Sequence, residues 1–332
     1  MAGYLKICTL VVVLSVSWLG NARAGSTFLG NAASYNVWAF GSGVIQNGGD
    51  FQGAVATSGN FSSSSSSVAT NASSSTGDSL VVGGTTSFSN GQVNNGNIRG
   101  VGTVSFSGAG LPNGTIYYGT QAGNSIPSYI TSTYVANAGL SSTFFSSTQN
   151  DLTHKSAELA AQTANGTVSG SGTLTLSGTN SNTNYFTLTA QQLAGATTVD
   201  INAPANSTVI VNVSGTSVSE KDTLSISGTA ASNVLFNFYQ AKSLTLSNIS
   251  FGANILAPDA ILYGSNGNAD GNTIVAGVSD NNSGFEFHNT DYFTGTPLLA
   301  SVPEPSSLVM MGLSSGFGLL IFGRRALARR VS

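Results

Sequence analysis

The sequence predicts a mainly β protein whose body is a right-handed parallel β-solenoid with one long helix packed along it. Three observations favour this fold. Short runs with alternating apolar residues recur along the chain, Gly and Asn turns separate them, and residues 140–162 contain neither Gly nor Pro. Strands spaced by roughly 10 to 20 residues are typical of stacked coils. They are also typical of an antiparallel β-sandwich, which is the alternative fold.

The strand predictions rest on period-two alternation between turn residues. Examples are 80–84 and 103–106 in the first half of the chain, and 234–238 and 254–258 in the second. The serine run 62–67 is interpreted either as a loop or as a strand face of small residues.

The long helix is predicted over residues 140–162. Phe145, Leu152 and Leu159 follow one another at seven-residue spacing, which places them on one helical face. We expect this stripe to cover an apolar sheet face. The apolar segment 28–40 is expected to open or cap the core.

Composition limits the functions that the body can have. Of the 332 residues of the whole chain, 41 are Gly and only 7% are charged. Between residues 26 and 300 the basic residues are Arg99, Lys155, Lys221 and Lys242, against twelve Asp and Glu. Such an acidic body without a basic cluster excludes nucleic acid as a partner. The one cysteine, Cys8, lies in the N-terminal apolar run, so no disulfide is expected.

The N-terminus, residues 1–24, reads as a signal peptide. Lys6 precedes the apolar run 7–19, and Ala22 and Ala24 occupy the two positions that signal peptidase reads. We expect cleavage after Ala24. A permanent anchor is disfavoured because the run is shorter than the ~20 residues that span a bilayer.

The C-terminus has three parts in order. A linker, 296–307, contains the motif Val302-Pro303-Glu304-Pro305-Ser306, whose prolines favour an extended chain. An apolar segment, 308–323, follows as a predicted transmembrane helix. The tail 324–332 begins with Arg324 and Arg325, which would hold that end in the cytoplasm as a membrane stop.

This tripartite end resembles the PEP-CTERM sorting signal of Gram-negative bacteria. The resemblance implies an inner-membrane intermediate, processing by an exosortase, and delivery to the cell surface or extracellular matrix. It also implies an association with exopolysaccharide and biofilm production.

The body, residues 25–295, resembles the choice-of-anchor A family of adhesive domains. The segments that carry the resemblance are 29–37, 80–84, 234–239 and 252–258. It implies non-catalytic adhesion, with exopolysaccharide or a cell-surface component as partner. The order of strands, long helix and strands is also similar to bacterial ice-binding β-solenoids, at the level of the fold. An ice-binding-like module is therefore one alternative function.

Candidate catalytic residues are few. The chain has two histidines, His154 in the predicted helix and His288, which shares a strand face with Glu286 and is a candidate for acid–base or metal chemistry. Carboxylates that a carbohydrate-active enzyme would need are Asp259, Asp270 and Asp280, but no motif fixes a pair. We therefore predict no catalytic and no cofactor site; a carbohydrate-active enzyme is the other alternative.

Two further patterns are candidates for ligand binding. Asn266, Asn268 and Asp270 place oxygen-bearing side chains at alternate positions before a glycine, as at the start of a calcium loop. Gly277 stands where such a loop needs its bidentate Glu, and turn formation explains the same residues. The pairs Thr173/Thr175 and Thr187/Thr189 are candidates for an ice-binding face, but the pair does not recur coil after coil.

Overall fold

The computed structural model describes residues 28–71, 77–221, 223–280 and 284–299. The predicted signal peptide, sorting motif, transmembrane segment and basic tail lie outside these ranges. The helices are α1 (Phe144–Ala160), α2 (Ala190–Gly195) and three short 3₁₀ helices, Gly30–Ser34, Ala136–Gly139 and Ala231–Asn233.

In chain order the strands are β1 (Val37–Asn47), β2 (Val55–Thr57), β3 (Phe61–Val68), β4 (Asp78–Val82), β5 (Thr86–Val93), β6 (Asn97–Gly100), β7 (Val104–Gly110), β8 (Ile116–Tyr118), β9 (Ser132–Tyr134), β10 (Thr167–Ser169), β11 (Thr173–Ser177), β12 (Thr183–Thr189), β13 (Thr198–Asn202), β14 (Thr208–Ser214), β15 (Ser217–Glu220), β16 (Thr223–Ser227), β17 (Val234–Asn237), β18 (Ser243–Ser247), β19 (Ser250–Phe251), β20 (Asn254–Ser265), β21 (Asn268–Asp270), β22 (Thr273–Ser279) and β23 (Glu286–His288).

These strands stack in parallel into a three-faced β-solenoid, which confirms the predicted fold over the sandwich. The first face has the order β12-β14-β17-β20-β22-β1-β2-β4-β6-β8-β9. The second face joins β15, β18, the later halves of β20, β22 and β1, and then β3, β5 and β7. The third face contains β10-β11-β13-β16 and β19-β21-β23. Only β10 pairs antiparallel among the described strands, at one edge.

Coil length differs along the solenoid. Leu80 pairs with Ile98, and Ile98 with Ile116, at a spacing of eighteen residues. At the β12 end, Thr183 pairs with Thr208 at a spacing of 25. Longer coils at that end make room for the helix α2, which follows β12 and packs on β15.

The coils do not follow one another in sequence order. β1 pairs with β2 on one side and with β22 on the other, so Val37 lies between Val55 and Thr273. From β1 the chain winds out to β9, returns as α1, and winds back from β12 to β22. The expectation that residues 28–40 open or cap the core is therefore wrong, because β1 is internal to the stack.

The interior is filled by inward side chains from all three faces. Phe51, Phe61, Phe88 and Phe106 form a row in which successive ring centroids are 5.3–6.2 Å apart. Phe287 extends the row, stacked on Phe51 at 5.1 Å. Such ring contacts add to the burial of apolar area, so one continuous core stabilises coils that are far apart in sequence.

The first face is also apolar on its outer side, and α1 covers it. Leu152 and Leu159 are fully buried there, and Phe145 packs on Trp38 with ring centroids 5.8 Å apart. The predicted stripe is confirmed, with the helix running from Phe144 to Ala160. Within the described residues, none of the helices has the length and apolarity needed to cross a bilayer.

The chain ends its described course as a strap, defined here as residues 289–299. It leaves β23 and runs along the solenoid beside the first face, back to β12. Phe293 is buried, and Leu299 packs against the cluster under α1. The strap continues four residues past the domain boundary expected at 295.

Candidate adhesive surface

The outer side of the second face carries exposed and half-buried side chains in the described part of the chain, and we call it the serine face. Two columns of outward side chains cross it in register. The first column is Ser219, Thr245, Tyr263, Ser279, Ile45, Ser62, Ser87 and Ser105, and the second contains Ser247, Ser265, Asn47, Ser64, Ser89 and Ser107. Eight strands at ~4.8 Å separation give it a length of about 34 Å.

The strand residues named in these two columns carry no charge, and Lys221, directly after β15, lies level with Ser247 at the end of the second column. Two larger side chains stand out from the hydroxyls: Ile45 is 47% exposed and Tyr263 is 39% exposed. They flank Ser279 on neighbouring strands. The face therefore combines many groups that both donate and accept hydrogen bonds with one small apolar patch.

Local sequence explains why the hydroxyls point outward. In β5, Ser87 and Ser89 flank inward-facing Phe88, and in β7, Ser105 and Ser107 flank Phe106. Alternation with a period of two sends the serines to water and the rings to the core. The serine run 62–67 lies in β3, so its interpretation as a strand face is the one the structure supports.

The corner between the second and third faces is built from residues with left-handed backbone. Ser65, Asn90 and Gly108 take φ values of 55°, 51° and 61° at equivalent positions of successive coils. Asn248 and Asn266 do the same at 55° and 49°. Asn and Gly tolerate this conformation best. Asn266, a predicted calcium ligand, is thus a corner residue.

The third face has a smaller array of polar side chains. Thr173, Thr198 and Thr223 pair in register on three successive coils. A neighbouring column contains Thr175, Asp200 and Ser225, so this array carries a charge. Thr187 and Thr189 lie on the first face in β12, away from Thr173 and Thr175. The two Thr-x-Thr pairs do not form one surface.

An acid–histidine cluster lies on the third face, where β21 pairs with β23. His288 Nδ1 is 3.1 Å from Asp270 Oδ1, and His288 Nε2 is 3.1 Å from Glu286 Oε2. Asn268 Nδ2 donates to Asp270 Oδ1 at 2.8 Å. Burial raises the pKa of the Asp270 carboxyl, while His288 and the Asn268 amide act in the opposite direction.

The structure brings together candidates that the sequence treated separately. Asn268 and Asp270 from the proposed calcium loop face Glu286 and His288 from the proposed acid–base pair, through the register of β21 and β23. Within the described part of the chain, no group of three His, Cys, Asp or Glu side chains has the geometry of a metal site.

The remaining enzyme candidates do not converge. Asp259 pairs with Lys242 at 2.7 Å near the corner between the first and second faces, Asp270 lies on the third face, and Asp280 is buried after β22. His154 is exposed on α1, 3.7 Å from Glu158. It lines an open groove of about 520 Å³ with Thr153 and Asp259. No nucleophile–base arrangement is formed by these residues.

Comparison with protein families assigns the body and the tail separately. Residues 28–289 match the model of a family described as a putative ice-binding-like adhesive domain. The chain belongs to this family of ice-binding-like adhesive domains. Residues 301–330 match the PEP-CTERM protein-sorting motif, which includes the motif Val302–Ser306 and the arginines Arg324 and Arg325. This motif implies export and processing by an exosortase.

The solved structures with some similarity to this chain include ice-binding proteins. A glycosylated ice-binding protein (LeIBP) from an Arctic yeast is 14% identical, with 85% of this chain and 98% of that chain covered at a TM-score of 0.33. The DUF3494 domain of Shewanella frigidimarina ice-binding protein_1 is 13% identical, with coverage of 76% and 95% and a TM-score of 0.32. A search of curated proteins finds no match.

Proposed function

We propose that the protein is a non-catalytic adhesin of the cell surface or extracellular matrix, and that its serine face binds an uncharged exopolysaccharide. The observation that carries this proposal is the in-register array of outward hydroxyls on seven of the eight parallel strands, with Ile45 and Asn47 of β1 in the same columns. Membership of the adhesive-domain family and the sorting motif support it.

The chemistry of the face fits a neutral glycan. Hydroxyl groups both donate and accept hydrogen bonds, as sugar hydroxyls do, so the two surfaces can pair without fixed polarity. The exposed ring of Tyr263 and the side chain of Ile45 offer an apolar contact for the carbon face of a sugar. An acidic body with four basic and twelve acidic residues disfavours anionic polysaccharides.

A non-catalytic role is supported by the separation of the candidate groups. Asp259, Asp270 and Asp280 lie on different sides of the solenoid, whereas glycoside hydrolysis needs two carboxyls that flank one bond. The cluster of Asp270, His288 and Glu286 has its ring nitrogens engaged by carboxylates, on a different face from the hydroxyl array.

Retention on immobilised exopolysaccharide from the host tests the proposal. Ser87 is exposed and lies between Ser62 and Ser105 in the first column, so Ser87→Glu places an unpaired charge against the neutral ligand. We expect at least about tenfold weaker retention. The matched control is Thr198→Glu, at the centre of the threonine column on the third face.

Three outcomes contradict parts of the proposal. Equal losses of retention for Ser87→Glu and Thr198→Glu would show that the serine face does not bind the polysaccharide. Depolymerisation of the polysaccharide by the purified protein would show that the protein is an enzyme. Thermal hysteresis without retention on the polysaccharide would indicate that the protein binds ice and not a glycan.

A further inference from the structure

The strap crosses five successive coils, from β22 through β20, β17 and β14 to β12, and is hydrogen-bonded to each of them. At β20, Asn254 Nδ2 donates to the Asp291 carbonyl at 3.1 Å. Phe293 N donates to Asn272 Oδ1 at 2.8 Å beside β22, and Thr294 N donates to the Ser232 carbonyl at 2.8 Å just before β17. Thr296 N then donates to Thr208 Oγ1 in β14 at 3.0 Å. The strap therefore runs along the solenoid axis toward its β12 end.

At β12 the strap is fixed by a final pair of contacts. Tyr185 Oη donates to the Leu298 carbonyl at 2.7 Å, and Leu298 N donates to Thr183 Oγ1 at 3.3 Å. Gly295 is needed on the way, because an added Cβ would lie 2.6 Å from the Phe293 ring and 2.9 Å from Thr208 Cγ2. These contacts therefore fix the path of the chain as far as Leu299.

Little chain separates this point from the apolar segment at the C-terminus. Eight residues, 300–307, lie between Leu299 and Leu308. Even fully extended they span at most about 28 Å. The first face is longer, since eleven strands at ~4.8 Å extend about 48 Å from β12 to β9. The β12 end must therefore stay near any membrane that holds the apolar segment.

Charge disfavours a solenoid that lies flat on the lipid. The body carries twelve acidic and four basic residues, so contact along its length would bring net negative charge against anionic headgroups. An upright body limits that contact to one end.

We propose that the strap makes the solenoid stand on the membrane by its β12 end, with the β8–β9 end outermost and the serine face running away from the lipid. This orientation rests on the membrane intermediate of the proposed function. It presents the face to partners beside the molecule and not beneath it.

Energy transfer to lipid in vesicles tests the orientation. The chain from residue 25 onward, without the predicted signal peptide and its Cys8, is inserted into phosphatidylethanolamine–phosphatidylglycerol vesicles that carry a headgroup acceptor. A donor dye is placed on Ala194→Cys in α2 or on Ser132→Cys in β9, both exposed positions at opposite ends. We expect strong transfer from position 194 and at least about fivefold weaker transfer from position 132, because the ends are about 48 Å apart.

A strap variant separates the role of the strap from that of the anchor. Gly295→Val collides with Phe293 and Thr208, so the strap detaches and its eleven residues add up to about 37 Å of slack. We expect the difference between the two dyes to shrink. Leu298→Ala, which changes a side chain that is 60% exposed, is the matched control and should keep the difference.

The outcomes distinguish this inference from the proposed function. Equal transfer from both dyes in the unaltered strap would overturn the upright orientation and leave the adhesive function intact. Failure of the chain to float with the vesicles would overturn the membrane anchoring itself. An unchanged difference in a folded Gly295→Val protein, checked by circular dichroism, would show that the strap does not set the orientation.

Discussion

Ser156 of α1 and Asn237 of β17 form a reciprocal pair of hydrogen bonds across the covered face. Ser156 Oγ donates to Asn237 Oδ1 at 2.6 Å, and Asn237 Nδ2 donates to the Ser156 carbonyl at 2.9 Å. Asn237 Nδ2 also donates to Asn212 Oδ1, and Asn212 Nδ2 donates to the Leu159 carbonyl. The helix is therefore held by buried polar groups as well as by its apolar stripe.

Replacing Asn237 with Ala should destabilise the fold by about 2–3 kcal/mol, because the buried partners on Ser156 and Asn212 lose their bonds while water stays excluded. The expected fall in Tm, measured by calorimetry, is about 5–10 °C. Asn202→Ala, at an exposed position on the third face, is the control and should leave Tm nearly unchanged. Equal Tm values for the two variants would show that the buried amides contribute little.

Leu152 lies at the centre of the helix stripe and is fully buried against the first face. Leu152→Ala should lower the free energy of unfolding by about 3 kcal/mol through the cavity it leaves. Leu152→Asp should cost more, since it places an unpaired carboxylate in the seam. Chemical denaturation measures both. Thr153→Asp, at the next position on the exposed side of the helix, controls for the effect of a charge on the helix. If Leu152→Asp had the same denaturation midpoint as the unaltered protein, the docked helix would be wrong.

Three tyrosines, Tyr185 buried and Tyr35 and Tyr292 partly buried, predict a loss of stability at high pH. Burial raises the pKa of Tyr35 and of Tyr185 to about 12, and it raises that of Tyr292 also. Since the unfolded phenol ionises near pH 10, the stabilisation is complete below that pH and is lost as pH rises through the folded pKa values. We expect Tm to fall steeply between about pH 10 and 12. Tyr185→Phe should reduce that slope, and an unchanged slope would argue against the burial effect.

The sequence predicted the elements better than their arrangement. The spacing of Phe145, Leu152 and Leu159 directly encodes a helical face, so that stripe could be read without coordinates. The position of β1 could not, because Val37 pairs with Thr273 across 236 residues and no local pattern records that register. The interior place of residues 28–40 follows from this long-range pairing.

The serine face has a sequence signal of its own, which the Thr-x-Thr pairs do not share. Each of the segments 62–64, 87–89 and 105–107 is Ser-x-Ser. Their first serines are 25 and 18 residues apart, and this unequal spacing hides the repeat from a search at fixed period. Likewise, Asp270 and His288 are eighteen residues apart, and only the coil register shows that they are neighbours. Spacing by one coil is the pattern to search for in such chains.

Asp270 predicts a pH dependence of the same origin, a carboxyl pKa raised by burial, at the acid end. Its pKa is raised by burial, the largest effect, and by Asp291, while the His288 ring and the Asn268 amide lower it. A folded pKa above the unfolded value near 3.8 means that the folded state holds the proton longer, so stability falls as pH rises from 3.8 through the folded pKa. Asp270→Asn should flatten this fall, whereas Asn268→Ala should steepen it by removing a bond that favours the ionised carboxylate. Tm measured at intervals from about pH 3 to 6 compares the three proteins. Parallel curves for the unaltered protein and Asp270→Asn would show that another group controls stability in this range.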